Sequence, residues 1–334
     1  MRNFNNIRFG FMAFGAMLVM ILDTKTAFLS AQTGLQLCLK TAIPSLFPFF
    51  VLSGILNSNL FGRNLSILRP ICKVCKIPKG GESLLLLGFL GGYPVGAQLI
   101  AQVYTNESIS KKTAQRMLGF CNNAGPAFLF GMTASLFTRS VIPWILWGIH
   151  ITSALITGCI LPADEDSSCK ISPKPPITLP NALQNAIKNM ASVCGWVILF
   201  RILIGFCEKW FLWLFPEEIR LLLSGILELT NGIAALNQLP NEGLRFIFCS
   251  GMLAFGGLCV FMQTISVTES LGAGFYFPGK LLQCVLSILF SIILQPILFQ
   301  TNIDVPVLIL ILGLLMGLCG IIIHLQRKKV VAFA

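Results

Sequence analysis

The chain has 334 residues, of which 55% are hydrophobic and only 11% charged, with a formal net charge of +11. So much apolar and so little charged character excludes an ordinary soluble globular domain. The positive excess is read as topology-setting loop charge and not as a nucleic-acid surface.

Apolar runs predict membrane segments at 7–22, 41–57, 84–104, 117–137, 141–161, 190–207, 221–236, 246–266, 281–299 and 305–324. Several reach the ~20 residues that cross ~30 Å of hydrocarbon. The first follows Arg2 and Arg8, and DTKTAFLS follows it without a small-residue cleavage site, so a retained anchor helix is expected over 1–29. Residues 24–40 mix polarity and are expected to lie along the interface. Rich in proline, serine and charge, 162–180 reads as a solvated cytoplasmic linker between repeats at 30–161 and 181–300. Residues 301–334 form a last span and a basic tail.

The run LLLLGFLGGYPVGAQLIAQVY (84–104) places Gly88, Gly91, Gly92, Pro94 and Gly96 in its middle. Non-helical backbone at membrane depth survives only where protein or water satisfies it. A glycine-rich tip also exposes helix N-terminal amides to an anion, and Tyr93 adds a hydroxyl and a stacking face. Alternatively, the small residues only allow a kinked span to pack closely. In CNNAGPAFLFG (121–131), Asn122 and Asn123 stand beside the helix breakers Gly125 and Pro126. Their amides can read carboxylates or ring nitrogens, and freed carbonyls can hold a cation.

In the second half, LELTNG (227–232) carries Glu228, Thr230, Asn231 and Gly232 within an apolar segment, where a carboxylate marks an ion or substrate pathway by default. Arg201, inside WVILFRILIGF, either pairs with Glu228 or attracts an anion. Gln263, Thr264 and Ser266 follow Gly256 and Gly257 in the matching span. Interrupted segments at corresponding positions of two halves point to a transporter site. With both short segments re-entrant, most lysines and arginines fall on the cytoplasmic side, among them Lys111, Lys112, Arg116 and Lys280. The positive-inside rule prefers this arrangement to two full crossings, and it makes the repeats antiparallel.

The expected fold is therefore all-α and polytopic, with two inverted repeats, each bearing a broken-helix hairpin, and about eight full spans. His150 and His324 read as packing residues. The Cys72–Cys75 pair has no second pair to complete a zinc site. No P-loop, H-E-x-x-H or G-x-S-x-G appears, so neither an enzyme nor a cofactor is expected.

GGYPVGAQL, NNAGPAFLFG, the E-x-T-N-G of LELTNG and FGGLCVFMQ, in this order over roughly residues 30–300, resemble the YlbJ-type sporulation integral membrane proteins, which carry paired nucleoside-recognition or gate domains. The resemblance implies that 30–161 and 181–300 are gate repeats, distantly similar to concentrative nucleoside transporters. Their substrate meets a hairpin tip and a broken helix, which points to Tyr93, Pro94 and Gly96, then Asn122 and Asn123, then Glu228, Thr230 and Asn231. Gly92 is expected beside them from the glycine-rich tip itself. It also implies dipicolinic acid, moved toward the developing spore, as the substrate. Arg201 and Gln263 join the expected site from the reading of the residues themselves.

The expected partners are a small molecule, the bilayer, a coupling proton or cation and a second copy of the chain, with no nucleic acid. The expected location is the cell membrane, in particular the mother-cell-derived membrane around the forespore, with both termini cytoplasmic. The alternative function is a non-transporting structural or assembly protein of sporulation, which the short loops disfavour.

Overall fold

The computed structural model describes residues 2–163, 171, 175–268 and 271–300. The expected last span at 305–324, His324 and most of the expected linker lie outside the described residues. Every element found is helical. α1 (Arg2–Leu22) leads into α2 (Thr24–Leu37), a π-helical stretch (Cys38–Ala42) and α3 (Ile43–Leu60). Then come a short α4 (Arg69–Val74), α5 (Glu82–Gly91), α6 (Val95–Thr105), α7 (Lys111–Cys121), α8 (Pro126–Thr133) and α9 (Ile142–Ile160). The second half runs α10 (Leu179–Trp210), α11 (Glu217–Leu227), α12 (Leu229–Ala235), α13 (Glu242–Phe255), α14 (Gly257–Val267) and α15 (Tyr276–Gln300).

Five helical stretches among the described residues are long and apolar enough to cross a membrane: Thr24–Leu60, Ile142–Ile160, Leu179–Trp210, Glu242–Val267 and Tyr276–Phe299. Their outward faces carry Leu52, Trp144, Leu199, Leu289 and Ile293, all exposed, as lipid contact requires. The expectation of a separate interfacial helix at 24–40 is corrected. Thr24–Leu60 is one rod of 37 residues, and polar Thr24, Lys25 and Lys40 sit along it without ending it. Its π stretch ends just before Pro44, which has no N–H to return to residue 40 and so relaxes the hydrogen-bond ladder there.

The remaining segments break where their residues dictate. α5 stops at Gly92, whose φ of +73° favours glycine. α7 stops at Asn122 in an extended conformation, and α8 restarts with Pro126, whose missing N–H costs nothing in a first turn. α11 stops at an extended Glu228, and α13 gives way to α14 through Gly256 in the left-handed region. Each half thus reads as a long helix, a broken pair, a second broken pair and another long helix.

The two long leading helices pack antiparallel. Lys209 bonds Asp23 at one end (2.5 Å), Gly34 meets the backbone of Ile198, and Gly54 meets Ala182. At the far end the amide of Ile177 donates to Ser58 Oγ (3.1 Å). Small residues allow the approach: a side chain at Gly205 would strike Ser30. α9 and α15 are also antiparallel. Arg139 donates to the carbonyl of Leu298 at one end (2.6 Å), while Leu161 and Phe275 both border Gly119 at the other.

Candidate functional site

The broken pairs fold back on themselves and interlock. Gly225 and Gly232 are in backbone contact. In an unbroken helix, residues seven apart stand ~10.5 Å apart, so α11 and α12 form a tight hairpin with Glu228 at its tip. In the first half, Gly88 and Gly96 flank the tip of α5–α6, and both border the carbonyl of Cys121. Gly92, at that tip, lies against Gly125 in the break between α7 and α8: a Cβ on Gly92 would come within 2.9 Å of the Gly125 nitrogen. A Cβ on Gly256 would meet the Tyr93 hydroxyl at 3.1 Å, so the break of the second half abuts the tip of the first.

Polar side chains then satisfy the loose ends. Glu228 caps α12, with Oε1 accepting from the Thr230 amide (2.9 Å) and Oε2 from the Asn231 amide and side chain (2.7 Å each). Fully buried Asn122 accepts from the Ala97 amide in the first turn of α6 (3.2 Å) and donates to Thr264 Oγ1 (2.9 Å), tying the first-half hairpin to α14. Asn123 is equally buried and donates to the Phe120 carbonyl (2.6 Å). The Ala124 amide donates to His150 Nε2 (3.2 Å), so His150 serves the break.

Between these tips lies a cavity walled by Tyr93, Gly125, Glu228, Thr230 and Gln263, with Leu46, Phe128, Val193, Val197, Leu229 and Val260 as its apolar side. It leaves ≈ 30 Å³ for water-sized contents, room for roughly one or two waters. Two larger cavities flank it. One, of ≈ 590 Å³, is lined by Ser53, Asn57, Gln98, Gln102, Asn181, Asn185, Lys188 and Asn189 among others. The second, of ≈ 510 Å³, is lined by Lys40, Thr41, Ser45, Gly131, Ser135 and Asn237 among others.

The three follow one another along α3: Ser45 lines one flanking cavity, Leu46 the central one, and Phe50 to Ser58 the other flanking one. The order is kept on α10, where Asn181–Asn189 precede Val193 and Val197. It is kept along α12 and the 3-10 turn after it (Leu236–Gln238), where Thr230 precedes Ala234 and Asn237.

Of the expected site residues, Tyr93, Glu228, Thr230 and Gln263 thus face one cavity. Gly92, Pro94 and Gly96 build the tip behind it, and Asn122, Asn123 and Asn231 hold the breaks around it. Arg201 is not brought there. It packs against Gly34 and pairs with Glu208 (3.1 Å), which corrects both expected roles, the ion pair with Glu228 and the anion attractor.

Two cations assigned to loops from the sequence are buried. Arg116 donates to the carbonyls of Cys75 (2.5 Å), Gly158 and Leu161 (3.2 Å). Lys280 is 1% exposed, and its Nζ donates to Asn123 Oδ1 (2.9 Å) and Gln283 Oε1 (2.8 Å). A signal for it exists in the sequence. Lys280, Gln283, Ser287 and Ser291 recur at helical spacing in an apolar run, and all four are buried. Cys72 and Cys75 are buried too. Burial pushes the Cys72 thiol up to about 12, and Cys75 Sγ lies 3.6 Å from Cys159 Sγ, as packed thiols do.

Long lipid-facing helices around paired breaks define a polytopic α-helical membrane protein. The chain is a distant homologue of the sporulation integral membrane protein YlbJ of Bacillus subtilis (strain 168), 26% identical over 320 residues that cover 81% of this chain and 78% of the relative. No protein-family model matches the chain, and no solved structure matches it.

Proposed function

We propose that the chain is a secondary transporter of a small anionic or nucleoside-like molecule, with dipicolinic acid in endospore formation as the favoured substrate. The observation that carries this reading is the file of three cavities, a narrow central one between two wide ones, running past the tips of both hairpins. A site reached by turns from two sides is what alternating access requires. The antiparallel packing of α3 with α10 and of α9 with α15 supports two inverted gate repeats with re-entrant hairpins. The central cavity leaves only ≈ 30 Å³ for water-sized contents, less than a ring bearing two carboxylates fills, so its walls must move apart to admit one. The Tyr93 face, in the wall of that cavity, suits such a ring. The sporulation context comes from the name of the Bacillus subtilis relative.

Flux of dipicolinate into vesicles containing the purified protein tests the reading. Saturable uptake is expected in the wild type, with a loss of roughly tenfold or more in Glu228→Gln and Asn123→Ala. Uptake no faster than in protein-free vesicles, for dipicolinate, nucleosides and simple dicarboxylates alike, would overturn it.

A further inference from the structure

We propose that Lys280 is a tethered cation, filling with its ammonium the place that a free coupling ion would take, so that this site works without sodium. The inference rests on reading the broken helices as a transport site. Lys280 is 1% exposed, and its Nζ sits on two neutral amide oxygens, Asn123 Oδ1 at 2.9 Å and Gln283 Oε1 at 2.8 Å. The faces of Tyr93 and Tyr276 lie 5.5 and 6.0 Å from it. Among the described residues no carboxylate lies within ion-pairing distance.

Buried lysines ordinarily pair with an acid. This one is instead surrounded as a metal cation is, by uncharged oxygens and ring faces. Its position also opposes burial of positive charge, because the side chain leans toward the positive end of α15. Asn123 belongs to the break between α7 and α8, and Tyr93 to the tip of the first hairpin. In carriers with broken helices, oxygens at such breaks hold the coupling sodium or proton. Here the chain supplies the charge covalently, behind the Tyr93 ring that faces the central cavity. With its proton on, Lys280 would give an anion at Tyr93 a positive field with no metal ion present.

The test is thermal unfolding of the detergent-solubilised full chain at constant ionic strength and pH, in choline chloride against sodium, lithium or potassium chloride. It needs no substrate and no transport, so its failure is separable from failure of the transport reading. The wild type and Lys280→Met, which fills the space without charge, are expected to melt at the same temperature in all four salts. Lys280→Ala, which leaves the amide oxygens facing a gap, is expected to melt lower in choline and to regain about 2–4 °C in sodium or lithium. A wild type stabilised by sodium over choline, or a folded Lys280→Ala that responds to none of the three metal ions, would overturn the proposal. Should Lys280→Ala fail to fold, the wild-type comparison decides alone.

Discussion

The hydroxyl of Tyr93 is buried and has no hydrogen-bond partner among the described residues, although its ring lines the central cavity. Removing an unpartnered buried hydroxyl relieves a desolvation cost, whereas a hydroxyl held ready for a ligand is missed only when the ligand arrives. Tyr93→Phe is therefore expected to leave the melting temperature unchanged or slightly raised. It is also expected to weaken dipicolinate binding roughly fivefold or more, as read by isothermal titration of both proteins.

The sequence shows Tyr93, Glu228 and the two asparagines because polar groups amid apolar runs are conspicuous. It hides Lys280 and Arg116, since a positive-inside count treats every lysine or arginine near a helix end as a loop charge. Arg116 bonds carbonyls from two other segments, which no local pattern encodes. Arg201 misleads for a related reason. Its partner Glu208 lies seven residues along the same helix, nearer to it than any carboxylate of the second hairpin tip.

At the scale of elements, the hairpin α11–α12 depends on two glycines meeting without side chains. A methyl group on Gly232 would run into the backbone of Gly225, which cannot yield as a flexible side chain would. Gly232→Ala is expected to cost roughly 3 kcal/mol, seen as a lowered melting temperature and poor recovery from detergent. Gly195, in the middle of α10, has nothing within 4 Å of its missing Cβ. Gly195→Ala should be neutral or gain up to about 1 kcal/mol through helix propensity.

The breaks near Gly92, Pro126 and Gly256 were legible, because glycine and proline have a conformational reason to end or start a helix. In the second hairpin the glycine that suggests a break, Gly232, lies inside α12, and the chain breaks at Glu228, whose carboxylate caps that helix. The continuity of Thr24–Leu60 was not. Its polar positions suggest a membrane surface, and only packing against α10 keeps the segment in one rod. The direction in which each half-helix turns after its break is likewise set by contacts such as Gly92 on Gly125, far apart in the chain.

For the whole molecule, the two wide cavities open on opposite ends of α3. Ser135, at one, and Asn185, at the other, are both exposed. In a background with the accessible native cysteines replaced, a membrane-impermeant maleimide added to sealed vesicles is expected to label Ser135→Cys and Asn185→Cys from opposite faces. Labelling of both from the same face would exclude a path through the centre.

The paired rods carry a final consequence. At 1.5 Å per residue, the 37 residues of Thr24–Leu60 span ~55 Å, nearly twice the hydrocarbon thickness. Standing upright, the rod would project ~25 Å beyond the acyl layer, and no ordinary lean absorbs that excess. α10, bound to it from Asp23–Lys209 to Ser58–Ile177, shares the overhang. The two share a length that the acyl layer alone cannot hold, so part of each belongs among headgroups and water.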